Sequence, residues 1–223
     1  MTASSFRLKG ATSAGSLSQS VHSTVLSKKN KWQDHYTRKA KEQGWLARSI
    51  FKLQELDAKY HFLHKGDRVL DLGCCPGSWT QYSLKKVGPG GSVVGLDLEQ
   101  PKSLAGPNFR FVKADILDID ARWLEAQVGI VDIVLSDLAP RTTGIKSTDA
   151  MRSAELAQKA LEIALRLLKV GGTFVCKVFE SQELGNFRAK MSRHFGVVRA
   201  VRPKAVRKGS REIYIIGQKR ILS

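Results

Sequence analysis

A chain of 223 residues that is 42% hydrophobic and 26% charged can build one well-packed α/β domain with a short extension, but not two domains of ordinary size. Its 37 Lys and Arg against 20 Asp and Glu leave a formal charge of +17, which implies a polyanionic partner, nucleic acid ahead of an anionic membrane. No apolar run approaches the roughly 20 residues that span a bilayer, and three cysteines, two of them adjacent, exclude a disulfide framework and a zinc cluster and imply a reducing compartment.

The first 33 residues contain no acid and carry Arg7, Lys9, Lys28, Lys29 and Lys31 among many Ser and Thr. Residues 1–30 therefore read as a disordered basic arm for RNA, with a mitochondrial transit peptide as the alternative to a cytoplasmic protein. Residues 31–223 read as one domain with a helical extension over 31–65. Within it the pattern is helical from Trp32 to Tyr60, and Ile50, Leu53, Leu56 and Asp57 mark the face that packs. The period then shortens. Runs rich in β-branched residues at Arg68 to Leu72, Ser92 to Leu98, Phe109 to Ala114, Val131 to Leu135 and Thr173 to Phe179 read as buried parallel strands. Leu161, Ala164, Leu165 and Leu168 give helical spacing to Thr148–Val170, and Gly171-Gly172 supplies a stop. Val197 to Val201 and Glu212 to Ile216 leave no room for a crossover helix, so they form an antiparallel hairpin at the sheet edge. Strands alternating with helices predict a doubly wound, mostly parallel sheet.

Ligands of such sheets sit at the carboxyl ends of the strands. There the first strand leads into Asp71-Leu72-Gly73-Cys74-Cys75-Pro76-Gly77-Ser78-Trp79, with a helix starting near Ser78. The glycines Gly73 and Gly77 permit close backbone approach, but the G-x-G-x-x-G spacing of a dinucleotide site is missing. Asp71 suits a cationic ligand with an amino group, Asp97 can accept hydrogen bonds from two ribose hydroxyls, and Asp115 can accept from an adenine amine. Together these acids suggest S-adenosylmethionine. The alternative is that they cap the helices that follow. No metal site is expected.

Two residues break the apolar pattern. Lys177 lies inside Phe174-Val175-Cys176-Lys177-Val178-Phe179, where a buried ammonium needs a partner, and Asp137 in Ser136-Asp137-Leu138-Ala139-Pro140 ends the neighbouring strand. Glu212 is the sole acid from Arg188 through Arg220, a stretch with eleven Lys and Arg. These segments, with Ala47 to Leu53 and Ser210 to Tyr214, resemble the FtsJ family of ribose 2′-O-methyltransferases from about Lys31 to the C-terminus. The resemblance implies a Rossmann-like fold with a seven-stranded sheet. It implies a catalytic tetrad at Lys52, Asp137, Lys177 and Glu212, and cofactor contacts at Gly77, Trp79, Asp97 and Asp115. Cys74-Cys75 replaces the small residues usual there, and Ser78 a common glycine. Methyl transfer to an alcohol needs in-line positioning and removal of the hydroxyl proton. Lys177 is the expected base, Lys52 and Glu212 orient the hydroxyl, and Asp137 fixes the lysine and borders the methyl group. To act, Lys177 must give up its own proton, which burial and Lys52 favour and Asp137 and Glu212 oppose.

Basic residues crowd both flanks of this tetrad. Lys28, Lys29, Lys31, Arg38, Lys39, Lys41 and Arg48 precede it, and Arg188 through Arg211, including Arg202, Lys204, Arg207 and Lys208, follow. A positive groove for RNA is the economical reading. An N-methyltransferase would carry an aromatic after the proline of Asp137-Leu138-Ala139-Pro140, and a C5-methyltransferase a cysteine near the fourth strand. A basic assembly factor that binds RNA without catalysis is the remaining rival. The resemblance is strongest to the bacterial ribosomal branch, which implies a monomer that methylates a uridine ribose of 23S-type ribosomal RNA within the large subunit or its precursor, with transfer RNA or another RNA as the alternative substrate.

Overall fold

A computed structural model describes residues 35–207 and 209–222. The basic arm, Trp32 and Lys208 lie outside the described residues. The described elements are helices α1 (Ile50–Tyr60), α2 (Ser78–Val87), α3 (Ala121–Val128), α4 (Lys146–Leu167) and α5 (Glu183–Ser192), and strands β1 (Arg68–Leu72), β2 (Ser92–Asp97), β3 (Phe109–Lys113), β4 (Val131–Ser136), β5 (Leu168–Phe179), β6 (Phe195–Val201) and β7 (Glu212–Arg220). They build one seven-stranded sheet in the order β3-β2-β1-β4-β5-β7-β6. Strands β1 to β5 run parallel, and β7 is antiparallel to both β5 and β6, so the expected hairpin is present with its second strand inserted beside β5.

Strict alternation sends successive side chains to opposite faces. Leu70, Leu72, Val134, Phe174, Cys176 and Ile215 pack with the helices α3, α4 and α5. Val69, Ile133, Leu135, Val175, Tyr214 and Ile216 pack on the other face with Leu53 and Leu56 of α1 and Trp79 of α2. Asp71 and Lys177 share the parity of this second set, so their Cβ atoms point toward α1 and α2.

Two expectations need correction. The helical run from Trp32 to Tyr60 is broken: residues 35–42 are helical, Gly44 adopts φ +71°, and α1 starts only at Ile50. The broken stretch lets Leu46 N–H and Gly44 C=O bond the Gln81 side chain of α2. Gly171-Gly172 does not stop a helix that reaches Val170. Helix α4 ends at Leu167, and β5 runs on through both glycines. The β4–β5 register shifts between Val131/Leu168 and Ile133/Thr173, and Gly171 takes φ +81° in that bulge.

Candidate active site

The loop after β1 folds back over the end of β2. Gly73 and Cys74 N–H both donate to Leu96 C=O, at 2.8 and 3.2 Å, and Cys75 N–H donates to Asp97 Oδ2 at 2.9 Å. Gly73 takes φ +78°, and a Cβ there would stand 2.7 Å from Leu138 Cδ2. A cleft of about 670 Å³ opens beside this loop, walled by Gly73, Asp97, Asp115 and Asp137 and by the apolar side chains Leu98 and Leu117. Asp97 also accepts from Leu98 N–H at 2.7 Å and Asp115 from Leu117 N–H at 2.9 Å. Both acids thus cap their own turns and face the cleft, so the two readings of them are compatible.

Three residues expected at the cofactor are not walls of this cleft. Gly77 opens α2 at φ +115°, with Leu104 and Leu46 filling the space a side chain would need. Trp79 is buried, donates its indole N–H to Ser49 C=O at 3.0 Å, and tilts against Tyr214 at 5.8 Å between ring centroids. Asp71 lies wholly buried behind the loop, where Thr80 Oγ1 donates to its Oδ2 at 2.6 Å. Its Oδ1 has no hydrogen-bond partner. Burial, with the charges of Asp137 and Asp97 adding to it, pushes this carboxyl up to about 7 against the Thr80 bond.

The four residues expected to carry the chemistry do converge. Lys177 stands where β5 is paired with Tyr214 of β7, and Phe179 is paired with Glu212, so Lys177, Tyr214 and Glu212 share one face. Lys177 Nζ lies 3.1 Å from Asp137 Oδ1 and donates to Asp137 C=O at 2.6 Å. From α1, Lys52 reaches Glu212 Oε2 at 2.7 Å. Both lysines are buried, at 8% exposure for Lys52 and 5% for Lys177. Lys52 had the weakest expectation from composition, since a helix lysine is ordinarily solvated; burying it beside Glu212 takes it out of that class.

Sequence reading missed Tyr214 as a member of the site. Its hydroxyl donates to Asp137 Oδ1 at 2.6 Å, its ring is fully buried, and Lys52 Nζ stands 5.8 Å over it. Burial raises the Asp137 carboxyl, but the charges of Lys177 and Lys52 and the bonds from Tyr214 and Lys177 outweigh it and hold the group below its ordinary value. Burial, together with Asp137 and Glu212, pushes the Tyr214 phenol well up, so it remains a donor. A signal existed: a tyrosine in a buried strand needs a hydroxyl partner, and Tyr214 follows Glu212 at the two-residue spacing of one strand face.

A sequence profile of the FtsJ-like methyltransferases matches residues 45–220. The chain belongs to that family. It is 44% identical over 189 residues to the ribosomal RNA large subunit methyltransferase E of Desulfatibacillum aliphaticivorans, covering 85% of this chain and 91% of the relative. With the protein of that name from Bdellovibrio bacteriovorus it shares 46% over 188 residues, covering 83% and 95%. A solved chain from Plasmodium falciparum described as a ribosomal RNA methyltransferase superposes with a TM-score of 0.70 at 28% identity, over 80% of this chain and all of that one. Human methyltransferase-like protein 13, solved in complex with SAH, shares the fold at a TM-score of 0.55 and 14% identity, over 76% and 84% of the two chains.

This FtsJ-like enzyme is therefore a methyltransferase that uses S-adenosylmethionine. The cleft fits that group. Three acids suit a cation and its hydroxyl and amine donors, and Leu98 and Leu117, 50% and 42% exposed, offer apolar surface for a flat ring. Behind the loop, Asp71 Oδ1 is a buried acceptor still short of a donor. Among the described residues no cluster of His, Cys, Asp and Glu could hold a metal ion, and no helix is long and apolar enough to cross a membrane.

Proposed function

We propose that this enzyme methylates a ribose 2′-hydroxyl, that of a uridine, in the large-subunit ribosomal RNA, and that Lys177 removes the hydroxyl proton. The observation that carries the reading is the two ion pairs with buried lysines, Lys177–Asp137 and Lys52–Glu212, set at the strand ends next to the cleft. S-adenosylmethionine supplies an electrophilic methyl group. Asp97 would take its ribose hydroxyls and Asp115 its adenine amine, and the loop from Asp71 through Gly73 and Gly77 to Trp79 would shape its seat. Asp137 borders the methyl group and holds Lys177 through both its carboxylate and its carbonyl, so the lysine nitrogen has one orientation. Lys52 and Glu212 hold the substrate hydroxyl between a donor and an acceptor. Lys177, beside Asp137, must first give up its own proton to solvent; as the neutral amine it would then take the hydroxyl proton while the oxygen bonds the methyl carbon and the carbon–sulfur bond of the cofactor breaks.

Charge supports RNA as the substrate. The loop from Arg202 to Arg211 packs against the helix that carries Lys52: Lys204 N–H donates to Glu55 Oε2 at 2.8 Å, and Ala205 joins Ile50 and Phe51 in one apolar cluster. Burial and the neighbouring charge of Arg207 pull the Arg48 guanidinium below its ordinary value, against Glu212. Arg48 of the first basic flank and Arg207 of the second thus meet beside Glu212 of the tetrad. The names of the bacterial relatives support ribosomal RNA over transfer RNA. We take the enzyme to be a cytoplasmic monomer that acts on the large subunit or its precursor.

The test is transfer of labelled methyl from the cofactor to naked large-subunit RNA and to large subunits from a strain lacking this enzyme, followed by nucleoside mapping. The label is expected on a ribose, and Lys177→Ala is expected to lower turnover by roughly 10²- to 10⁴-fold with cofactor affinity kept. Label on a base, or full turnover by the alanine variant, overturns the reading.

A further inference from the structure

Where the β4–α4 connection enters α4 the chain exposes two large apolar side chains, Ile145 just before the helix at 61% and Met151 in its second turn at 69%. Single exposed apolar residues are ordinary in proteins. These two are set apart by rigidity, position and charge.

The segment that presents them is tied down at several points. Asp149, itself buried, accepts from Thr143 N–H at 2.7 Å and from Thr143 Oγ1 at 2.9 Å. Ile145 N–H donates to Thr143 Oγ1 at 3.2 Å, and Arg152 Nη1 donates to Arg141 C=O at 3.3 Å. Ser153 Oγ then takes Phe179 N–H at 2.9 Å, which fastens the start of α4 to the end of β5. A loop held this firmly keeps its apolar groups in water when it could have tucked them away.

Its position is at the site. Arg141 and Arg152 line the cofactor cleft, and on the other side Arg211 Nη2 donates to Lys146 C=O at 2.9 Å. Arg211 precedes Glu212 and lies over the Phe179 ring at 5.7 Å. The segment therefore bridges the cleft and the strand start that carries Glu212. From 141 to 152 the cations are Arg141, Lys146 and Arg152, and the sole acid is the occupied Asp149.

We propose that this segment is a substrate-positioning platform, on which Ile145 and Met151 bear against bases flanking the target nucleotide while Arg141, Lys146 and Arg152 hold the neighbouring phosphates. Alternating apolar and cationic groups match the alternation of base and phosphate along an unstacked strand. The inference rests on the RNA reading above and adds where the strand lies.

The experiment compares wild type, Ile145→Ser/Met151→Ser and Ile145→Leu/Met151→Leu, with large ribosomal subunits as substrate. Ile145 is the N-cap of α4 and makes no side-chain cap, so serine there adds an acceptor for the helix and a loss of function is not a loss of fold. The serine variant is expected to raise the KM for the subunits roughly tenfold, with cofactor affinity and melting temperature unchanged, and the leucine variant to match wild type. An unchanged KM in the serine variant, or a leucine variant as weak as it, overturns the platform while wild-type methylation leaves the RNA reading intact. Failure of the wild type to methylate any RNA overturns both.

Discussion

Two buried aspartates, one where α1 joins α2 and one at the end of β1, show how differently the same side chain is used in this molecule. Asp57 is 1% exposed and fully engaged: Phe62 and Leu63 N–H donate to Oδ1, the Tyr82 hydroxyl donates to Oδ2, and Lys86 lies 2.9 Å from Oδ2. Asp71 is wholly buried and has one donor, Thr80, with Oδ1 left open. A carboxylate with every lone pair answered holds two helices together. One left short sits behind the cofactor loop, where a ligand or a proton must complete it.

The contrast breaks most visibly at Asp57. Asp57→Ala strands two backbone N–H groups and the Tyr82 hydroxyl and leaves Lys86 without its partner, which is expected to cost about 3–5 kcal/mol. Urea denaturation measures this directly. A loss below about 1 kcal/mol would show that the α1–α2 junction does not depend on this carboxylate. Because α1 carries Lys52, turnover is expected to fall with the fraction of α1 in place.

At Asp71 the sign reverses. Its folded-state carboxyl stands near 7 against an ordinary 3.8, so the folded protein binds a proton more tightly than the unfolded chain. The stability this contributes is complete below about pH 4 and is lost as the pH rises toward 7. Asp71→Asn keeps a partner for Thr80 and carries no charge, so the cofactor-free protein is expected to gain up to about 4 kcal/mol above pH 7 and to lose the pH slope that Asp71 gives between about pH 4 and 7. Cofactor affinity is expected to fall in the same variant. Calorimetric melting at pH 5 and pH 8 gives the first result and titration calorimetry the second; a variant no more stable at pH 8 than wild type contradicts the open-acceptor reading.

Sequence alone exposed the residues that violate a local pattern and concealed those that obey one. Lys177 was visible because an ammonium interrupts an apolar strand, and Asp137 because a strand end needs something to answer it. Strand β1 was legible from Arg68 to Leu72 without error, since hydrophobic period and the Asp-Leu-Gly turn agree there. Asp57 was seen only as the edge of a helical face, because its partners Tyr82 and Lys86 lie a whole strand away in sequence. Trp79 is a contact residue by the family resemblance alone, and its indole N–H donates to Ser49 C=O while its ring tilts against Tyr214, partners that lie too far off in sequence to be read locally. The bulge at Gly171-Gly172 imitates a helix stop, because the same glycine pair permits either.

Tyr214 sharpens the comparison at the smallest scale, since it does for Asp137 what Tyr82 does for Asp57. Tyr82 donates to a carboxylate that also holds two backbone N–H groups, whereas Tyr214 gives Asp137 a hydroxyl bond beside two lysines. Tyr214→Phe keeps the ring against Trp79 and removes only that donor. The Asp137 carboxyl then loses one of the influences that hold it below its ordinary range, so its proton is released at higher pH. Turnover is expected to fall roughly tenfold, and the acid limb of the pH–rate profile to move upward, because the charged carboxylate that orients Lys177 now persists over a narrower range. A profile that falls in height without moving would mean that the hydroxyl only packs, and that Asp137, like Asp57, is held by its other partners.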